Sequence, residues 1–242
     1  MNRVVAVPAK DLVNAKQRLL PVLAQEERRA LAAAMLEDVL AALSGAHVGA
    51  VWVVTRDAAV TAIAHRFGAE IVSEAENRGH TAAVAAAQAQ ALASGIPIFA
   101  TIPGDVPCVT AAEIDALVDA ATPTSAVVLA ASRSGLGTNG VALSPPDALV
   151  LRFGEPSFEG HVAAARARGV EPRLLRLPGL ALDVDGPDDL TALLAEGATT
   201  RSARLVLGWH VGERSEARER AGGRAQRGTR AGGRSPGARE FQ

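Results

Sequence analysis

Two aspartates, Asp183 and Asp185, stand two residues apart in the apolar segment LALDVD. In an extended chain, side chains two apart project to the same face, so the segment reads as a short strand carrying paired carboxylates. Two like charges in an apolar setting are costly unless something cationic compensates them, and Mg²⁺ is the obvious candidate. A third carboxylate, Asp105, directly follows the apolar run PIFATIP in a Pro/Gly turn. Fixed at a stiff strand end, it is placed to hold a hard cation. The plain reading of a single aspartate is a turn or cap residue, and for Asp105 alone the two readings are even. The trio favours a metal site, because turn chemistry does not explain Asp183 and Asp185. Asp188 and Asp189 differ: they follow Gly-Pro at a helix start, where acids suit the helix dipole.

The cations pose a second question. Of 25 basic side chains only two, Lys10 and Lys16, are lysine. Both fall in VPAKDLVNAKQRLL, just behind the first hydrophobic run. The abundance of Ala, Arg and Gly explains why lysines are few, but not where they are. An ammonium is a compact charge with three donors on a flexible stem, whereas a guanidinium is a planar fork.

Strands and helices alternate to about residue 131. Strand patterns occupy RVVAVPA, AVWVVT, AEIVSE, PIFATIP and SAVVLAAS. Between them QEERRALAAAMLEDVLAAL places Leu31, Met35, Val39 and Leu43 at helical spacing. DAAVTAIAHRFG has Asp57 as N-cap and Gly68 as stop, TAAVAAAQAQALASG closes at Gly95, and TAAEIDALVDAA opens with a capping box of Thr110 and Glu113. This order predicts an α/β fold, a mostly parallel sheet with helices on both faces. In such folds ligands bind outside the carboxyl ends of the strands. That picks out the loop of Lys10 and Lys16, the SEAENRGHT loop and PGDVPC. The second half is less regular: GVALS, a helix in PSFEGHVAAARARG, a strand in EPRLLRLP, the segment LALDVD, a helix from Pro187 to about Ala195, and a last short helix or strand in TRSARLVLG.

At 242 residues, the chain suits one good-sized domain with an appendage. Residues 1–208 read as the folded domain. Residues 209–242, with eight Arg, four Glu and the repeated RAGGR, read as a disordered Arg/Gly-rich tail. Contact of that tail with RNA or anionic partners is the weaker reading against a solvated extension with no role, so no nucleic-acid partner is expected. Cys108 is the lone cysteine, which excludes an internal disulfide and Cys-based metal spacing. No signal peptide and no apolar run near the roughly 20 residues of a membrane span are present, so a soluble cytoplasmic protein without membrane contact is expected.

VPAKDLVNAKQRL, AMLEDVLAAL, IPGDVP, GTNGVAL, RFGEPSFEGHVAAARARG and LALDVDGPDDL, in this order, resemble the 2-phospho-L-lactate guanylyltransferase family. The resemblance spans roughly residues 3–208. It implies the nucleotidyltransferase version of the doubly wound α/β fold, GT-A-like and Rossmann-like. It also implies transfer of GMP from GTP to the phosphate of a three-carbon acid, with release of pyrophosphate, in coenzyme F420 biosynthesis. The actinobacterial branch uses phosphoenolpyruvate. The GC-rich composition associates the chain with that branch, although no residue visibly distinguishes phosphoenolpyruvate from 2-phospho-L-lactate.

By that resemblance Asp105, Asp183 and Asp185 hold two Mg²⁺ ions, while Thr138, Gly154 and Ser157 hold the acceptor's phosphate and carboxylate. A hydroxyl, a backbone N–H and helix N-terminal amides suit an anion cradle. Lys10, Lys16 and Arg18 are assigned to the GTP phosphates. No general base is needed, because the attacking phosphate is already ionised. His65 and His210 read as surface residues and His47 as a loop residue. For His161, packing and a place near the acceptor are both open. RGHTAAV, with His80 and Thr81, departs from the family pattern and leaves the base and ribose contacts unassigned. Cys108 replaces an aliphatic residue and reads as a small buried hydrophobe. A lability of the product suggests transient contact with the next transferase of the pathway. Molybdopterin guanylyltransferases of the same fold carry a glycine-rich opening, whereas no glycine lies between Val4 and Leu20 here. A non-catalytic nucleotide-binding module would not require three metal-directed carboxylates.

Overall fold

A computed structural model describes residues 3–73, 78–121 and 126–209. Five strands form where the apolar runs predict them: β1 (Arg3–Pro8), β2 (Ala50–Thr55), β3 (Glu70–Ser73), β4 (Ile98–Thr101) and β5 (Ala126–Ala131). They are joined by α1 (Gln25–Ser44), α2 (Ala58–Arg66), α3 (His80–Ala93) and α4 (Ala111–Asp119). Local chemistry sets the helix starts. Asp57 accepts from the backbone N–H groups of Ala59 and Val60, and Thr110 and Glu113 close their reciprocal box.

β6 (Thr138–Ser144) and β7 (Arg173–Leu175) complete a seven-stranded sheet in the order β3-β2-β1-β4-β6-β5-β7. All pairings are parallel except those of β6, which runs antiparallel to both β4 and β5. This reversal matters for the site, because it brings the start of β6 to the edge where the parallel strands end. α5 (Phe158–Ala167) follows, then α6 (Pro178–Ala181), α7 (Pro187–Glu196) and α8 (Arg201–Gly208).

The strands alternate their side chains between two cores. Val5 and Val7 pack with Leu36, Leu40, Ile63 and Leu117 under α1, α2 and α4. Val4 and Ala6 pack with Val84, Ala87, Phe99 and Val162 under α3 and α5. A third apolar cluster lies beyond the sheet, where Leu19 and Leu23 meet Met35, Leu182, Leu190 and Val206. It clamps the opening loop between α1 and the C-terminal helices. With aromatics at 3% of the chain, alanine, valine and leucine supply nearly all of this packing.

Two expectations change, and one left open between helix and strand is decided. LALDVD is not a strand: Leu180 and Ala181 belong to α6, and residues 182–185 run extended outside the sheet. Proline at the start of α6 removes a ladder donor. Gly179 also lies so close to Cys108 that an added Cβ would be 2.2 Å from its carbonyl oxygen. The strand in EPRLLRLP shortens to three residues before that same proline, and TRSARLVLG is a helix. The Arg/Gly tail lies outside the described residues from His210 onward, together with that histidine.

Candidate active site

The carboxyl edge of the sheet opens into a cleft of about 1020 Å³ lined by all nine residues singled out from the sequence: Lys10, Lys16, Arg18, Asp105, Thr138, Gly154, Ser157, Asp183 and Asp185. They arrive on several separate supports. Lys10 follows β1 directly, and Lys16 and Arg18 lie in a loop of two single-turn 3₁₀ helices, Leu12–Asn14 and Gln17–Leu19. Leu12 and Leu19 anchor that loop in the apolar clusters, so its polar residues stay at the cleft.

Lys16 is the centre of the acidic half. Its side chain is only 7% exposed, and its Nζ donates to Asp105 Oδ2 at 2.5 Å and to Asp185 Oδ1 at 2.7 Å. Its backbone is left-handed, φ 53° and ψ 48°, and it is the one such non-glycine among the described residues. That conformation costs about 1–3 kcal/mol and persists only where surrounding contacts over-determine it. Burial alone would lower the Lys16 pKa, but the two carboxylates outweigh it and raise it. Reciprocally, burial raises the Asp105 carboxyl, while Lys16 outweighs that effect and holds it below the usual carboxylate range. Lys10, in contrast, is exposed in the cleft and makes no ion pair among the described residues.

Asp183 and Asp185 face the cleft although their strand is absent. The segment is still extended, so side chains two apart share a face, and the intervening Val184 is fully buried on the other. Val184 N–H donates to the Asp105 carbonyl at 3.1 Å, which ties the two acidic segments together through the backbone. Asp183 is steadied by Asn139, whose Nδ2 donates to Asp183 Oδ1, Leu180 O and Ala181 O, each at 3.1 Å. Burial first, then the neighbouring Asp105 and Asp185, raise the Asp183 pKa against the lowering effect of the Asn139 bond.

No group of three acidic, His or Cys side chains is arranged as a complete cation cage among the described residues. Lys16 Nζ takes the position between two of the aspartates. The donor set nevertheless suits Mg²⁺, which uses one or two carboxylates plus substrate phosphates instead of an all-protein cage. Asp183, raised by burial first and by the neighbouring carboxylates after it, has no cationic partner among the described residues. The three carboxylates therefore fit a cation shared with bound phosphates.

The opposite wall carries hydroxyls and backbone amides, with the exposed Glu155 between Gly154 and Ser157. Successive residues on a strand face opposite ways, so β6 presents Asn139 to the aspartates and Thr138 to the other side. Thr138 Oγ1 lies 3.2 Å from Ser157 Oγ and 2.9 Å from His161 Nδ1. Ser157 stands just before α5, and its hydroxyl does not cap the helix. Gly154 has φ +133°, which L side chains rarely adopt, and a Cβ there would meet nothing within 4 Å. Glycine is required at 154 by its backbone conformation, not by crowding.

His80 and Thr81, which the sequence leaves unassigned, dock α3 onto the RFG segment. Thr81 Oγ1 accepts from Phe153 N–H at 3.0 Å, and the His80 ring meets the Phe153 ring edge-on at 4.5 Å. Burial, with a smaller contribution from Lys10, outweighs Asp105 and pushes the His80 pKa down to about 4, so its ring is neutral. His161 is 2% exposed and sits behind Thr138. Asn139 and Thr81 are the residues sequence reading missed. Their types fit many buried polar roles, and only the packing reveals their partners. Cys108 is half-buried beside Gly197, and burial followed by three acidic neighbours pushes its thiol up to about 11. It is therefore no nucleophile.

The model of a family described as guanylyl transferase CofC like matches residues 3–221. The chain belongs to this family. Among curated relatives, a phosphoenolpyruvate guanylyltransferase of Sphaerobacter thermophilus is 42% identical over 194 residues, 80% of this chain and 93% of that protein. A 2-phospho-L-lactate guanylyltransferase of Methanothermobacter thermautotrophicus is 34% identical over 203 residues, 83% of this chain and 87% of that protein. Among solved structures, a nucleotide-diphospho-sugar transferase from Desulfovibrio desulfuricans G20 superposes with a TM-score of 0.71. It covers 86% of this chain and 94% of its own at 14% identity, a likeness of fold alone. This guanylyl transferase family member thus has the nucleotidyltransferase fold that its motifs imply.

Proposed function

We propose that the protein transfers GMP from GTP to the phosphate of phosphoenolpyruvate, releasing pyrophosphate, as a step in coenzyme F420 biosynthesis. The observation that carries this reading is the two-sided cleft. Asp105, Asp183 and Asp185 share the cleft with Lys10, Lys16 and Arg18 and with the hydroxyls and amides of Thr138, Gly154 and Ser157, in a guanylyl transferase family member. The curated relative at 42% identity bears the name of the phosphoenolpyruvate enzyme, which favours that acceptor over 2-phospho-L-lactate.

In this reading an oxygen of the acceptor phosphate attacks the α-phosphorus of GTP. The new P–O bond forms as the α-phosphorus–oxygen bond to pyrophosphate breaks, and no proton has to move. The chain's task is then to bring two polyanions together and neutralise them. Lys10 and Arg18, at the mouth of the opening loop, attract and hold the triphosphate. Thr138, Gly154 and Ser157 receive the acceptor through hydroxyls, the backbone and the start of α5. Asp105, Asp183 and Asp185 would hold Mg²⁺, which when bound supplies charge neutralisation for the transferring phosphoryl group. Lys16 favours the ionised form of Asp105 and holds both Asp105 and Asp185 by ion pairs at the cleft. His80, neutral, adds no charge beside the nucleotide.

The test is pyrophosphate release from GTP with Mg²⁺ and each of phosphoenolpyruvate, 2-phospho-L-lactate and 3-phospho-D-glycerate, with the mixed diphosphate observed by phosphorus NMR. The highest kcat/KM is expected with phosphoenolpyruvate. Absence of pyrophosphate with all three acceptors overturns the enzyme assignment, and a higher kcat/KM with another acceptor overturns the choice among them.

A further inference from the structure

The wall of the cleft that carries Thr138 and Ser157 contains a hydrogen-bond chain whose direction is fixed from behind. Arg152 N–H donates to His161 Nε2 at 3.0 Å. A backbone N–H has no lone pair to offer, so Nε2 must be the acceptor, and the proton of the neutral ring resides on Nδ1. Nδ1–H then donates to Thr138 Oγ1 at 2.9 Å. His161, Thr138 and Ser157 are all less than a tenth exposed, so water does not rescue a mismatch within the chain.

Counting hydrogens gives the consequence. Thr138 and Ser157 together carry two hydroxyl hydrogens, and the bond between them uses one. Because His161 donates into the pair, the second hydrogen is left for the cleft. With the opposite tautomer, Nδ1 would accept from Thr138, and Ser157 would donate to Thr138. Only oxygen lone pairs would then face the ligand, and an anion would be repelled.

We propose that His161 is a positioning residue for the acceptor: held in the Nδ1–H tautomer by the Arg152 amide, it makes the Thr138–Ser157 pair a donor toward the anionic acceptor. The inference rests on the guanylyl transfer reading for the identity of that anion, but the tautomer itself does not. His161 touches no substrate. Its action is to decide which atoms of two other side chains do.

The two nitrogens can be separated by substitution. In His161→Asn the amide nitrogen takes the place of Nδ1 and keeps the donor to Thr138. In His161→Gln the amide group reaches the place of Nε2 and keeps only the Arg152 contact. With GTP saturating and phosphoenolpyruvate varied, the Asn variant should hold its acceptor KM within about threefold, and the Gln variant should raise it roughly 10- to 100-fold. The KM for GTP should stay unchanged in both. Equal acceptor KM values for the two variants, or equal rises in both KM values, would show a role in packing alone and overturn the proposal. Long-range ¹⁵N–¹H correlation of the His161 ring, identified by its loss in His161→Asn, reads the tautomer without any reaction. A proton on Nδ1 supports the proposal and one on Nε2 overturns it. Inactivity of the wild type would instead count against guanylyl transfer, and the ring spectrum would still decide the tautomer.

Discussion

Lys10 and Lys16 are six residues apart, yet their surroundings give them opposite duties. Lys16 is buried against two carboxylates, and breaking a buried pair leaves an uncompensated charge, here roughly 1–3 kcal/mol because both carboxylates are partly open to water. Lys16→Met should therefore lower the melting temperature as well as abolish turnover, and millimolar Mg²⁺ should restore part of the lost stability by taking over the compensation. Thermal melts with and without Mg²⁺ check this; an unchanged melting temperature would remove Lys16 from the centre of the acidic cluster. The ion pair holds across a wide pH window. The lowered Asp105 pKa adds stability above the usual carboxylate value, lost only as pH falls through its folded value. The raised Lys16 pKa adds stability below the usual lysine value, lost only as pH rises through its folded value. Lys10, exposed and without an ion pair among the described residues, has no such structural duty. Lys10→Arg should leave the melting temperature in place and lower kcat/KM for GTP by about tenfold or more, since a planar fork does not replace a mobile point charge. Normal kinetics in that variant would make the loop purely structural.

Elements, more than side chains, decide where the acidic pair ends up. α6 is only four residues long, and it turns the chain so that residues 182–185 run beside Asp105 instead of joining the sheet. Gly179 permits that turn. A Cβ there would come within 2.2 Å of the Cys108 carbonyl and 2.5 Å of the Glu113 carboxylate. Gly179→Ala should thus cost about 1–3 kcal/mol or more through overpacking. It should also displace Asp183, measured as a lowered melting temperature and a loss of turnover together. Turnover retained at full rate would show that α6 does not position the aspartates. The period-2 spacing of Asp183 and Asp185 was legible, because an extended backbone sets it with or without a ladder. The ladder itself was not, because whether an apolar extended segment joins a sheet depends on neighbours distant in the chain. The same holds for β6: GVALS reads as a strand, but its antiparallel course, which delivers Thr138 and Asn139 to the cleft, is a property of the sheet order. The five parallel-sheet strands and their helices were legible since apolar periodicity and caps are local. Thr81 and Asn139 were not, since each acts on a partner more than 40 residues away.

Across the whole molecule, the cleft concentrates charge that folding alone does not reward. The raised Asp183 pKa means that the folded protein holds that proton more tightly than the unfolded chain does. The cost of ionising it in the fold is therefore present above the raised value and is relieved as pH falls through it. Asp183→Asn removes the charge and keeps an oxygen to accept from Asn139. In the absence of ligands this variant should melt higher than the wild type, by roughly 1–4 °C for a chain of this size. GTP with Mg²⁺ should stabilise the wild type through preferential binding to the native state. The Asn variant should lose most of that ligand-induced shift and its turnover, so the order of stabilities reverses when ligand is added. A scan of melting temperature against Mg²⁺–GTP concentration for both proteins displays the crossing directly. Parallel curves would show that Asp183 is a structural acid outside the binding site, whereas a variant that melts lower than the wild type without ligand would show that Lys16 already compensates all three carboxylates.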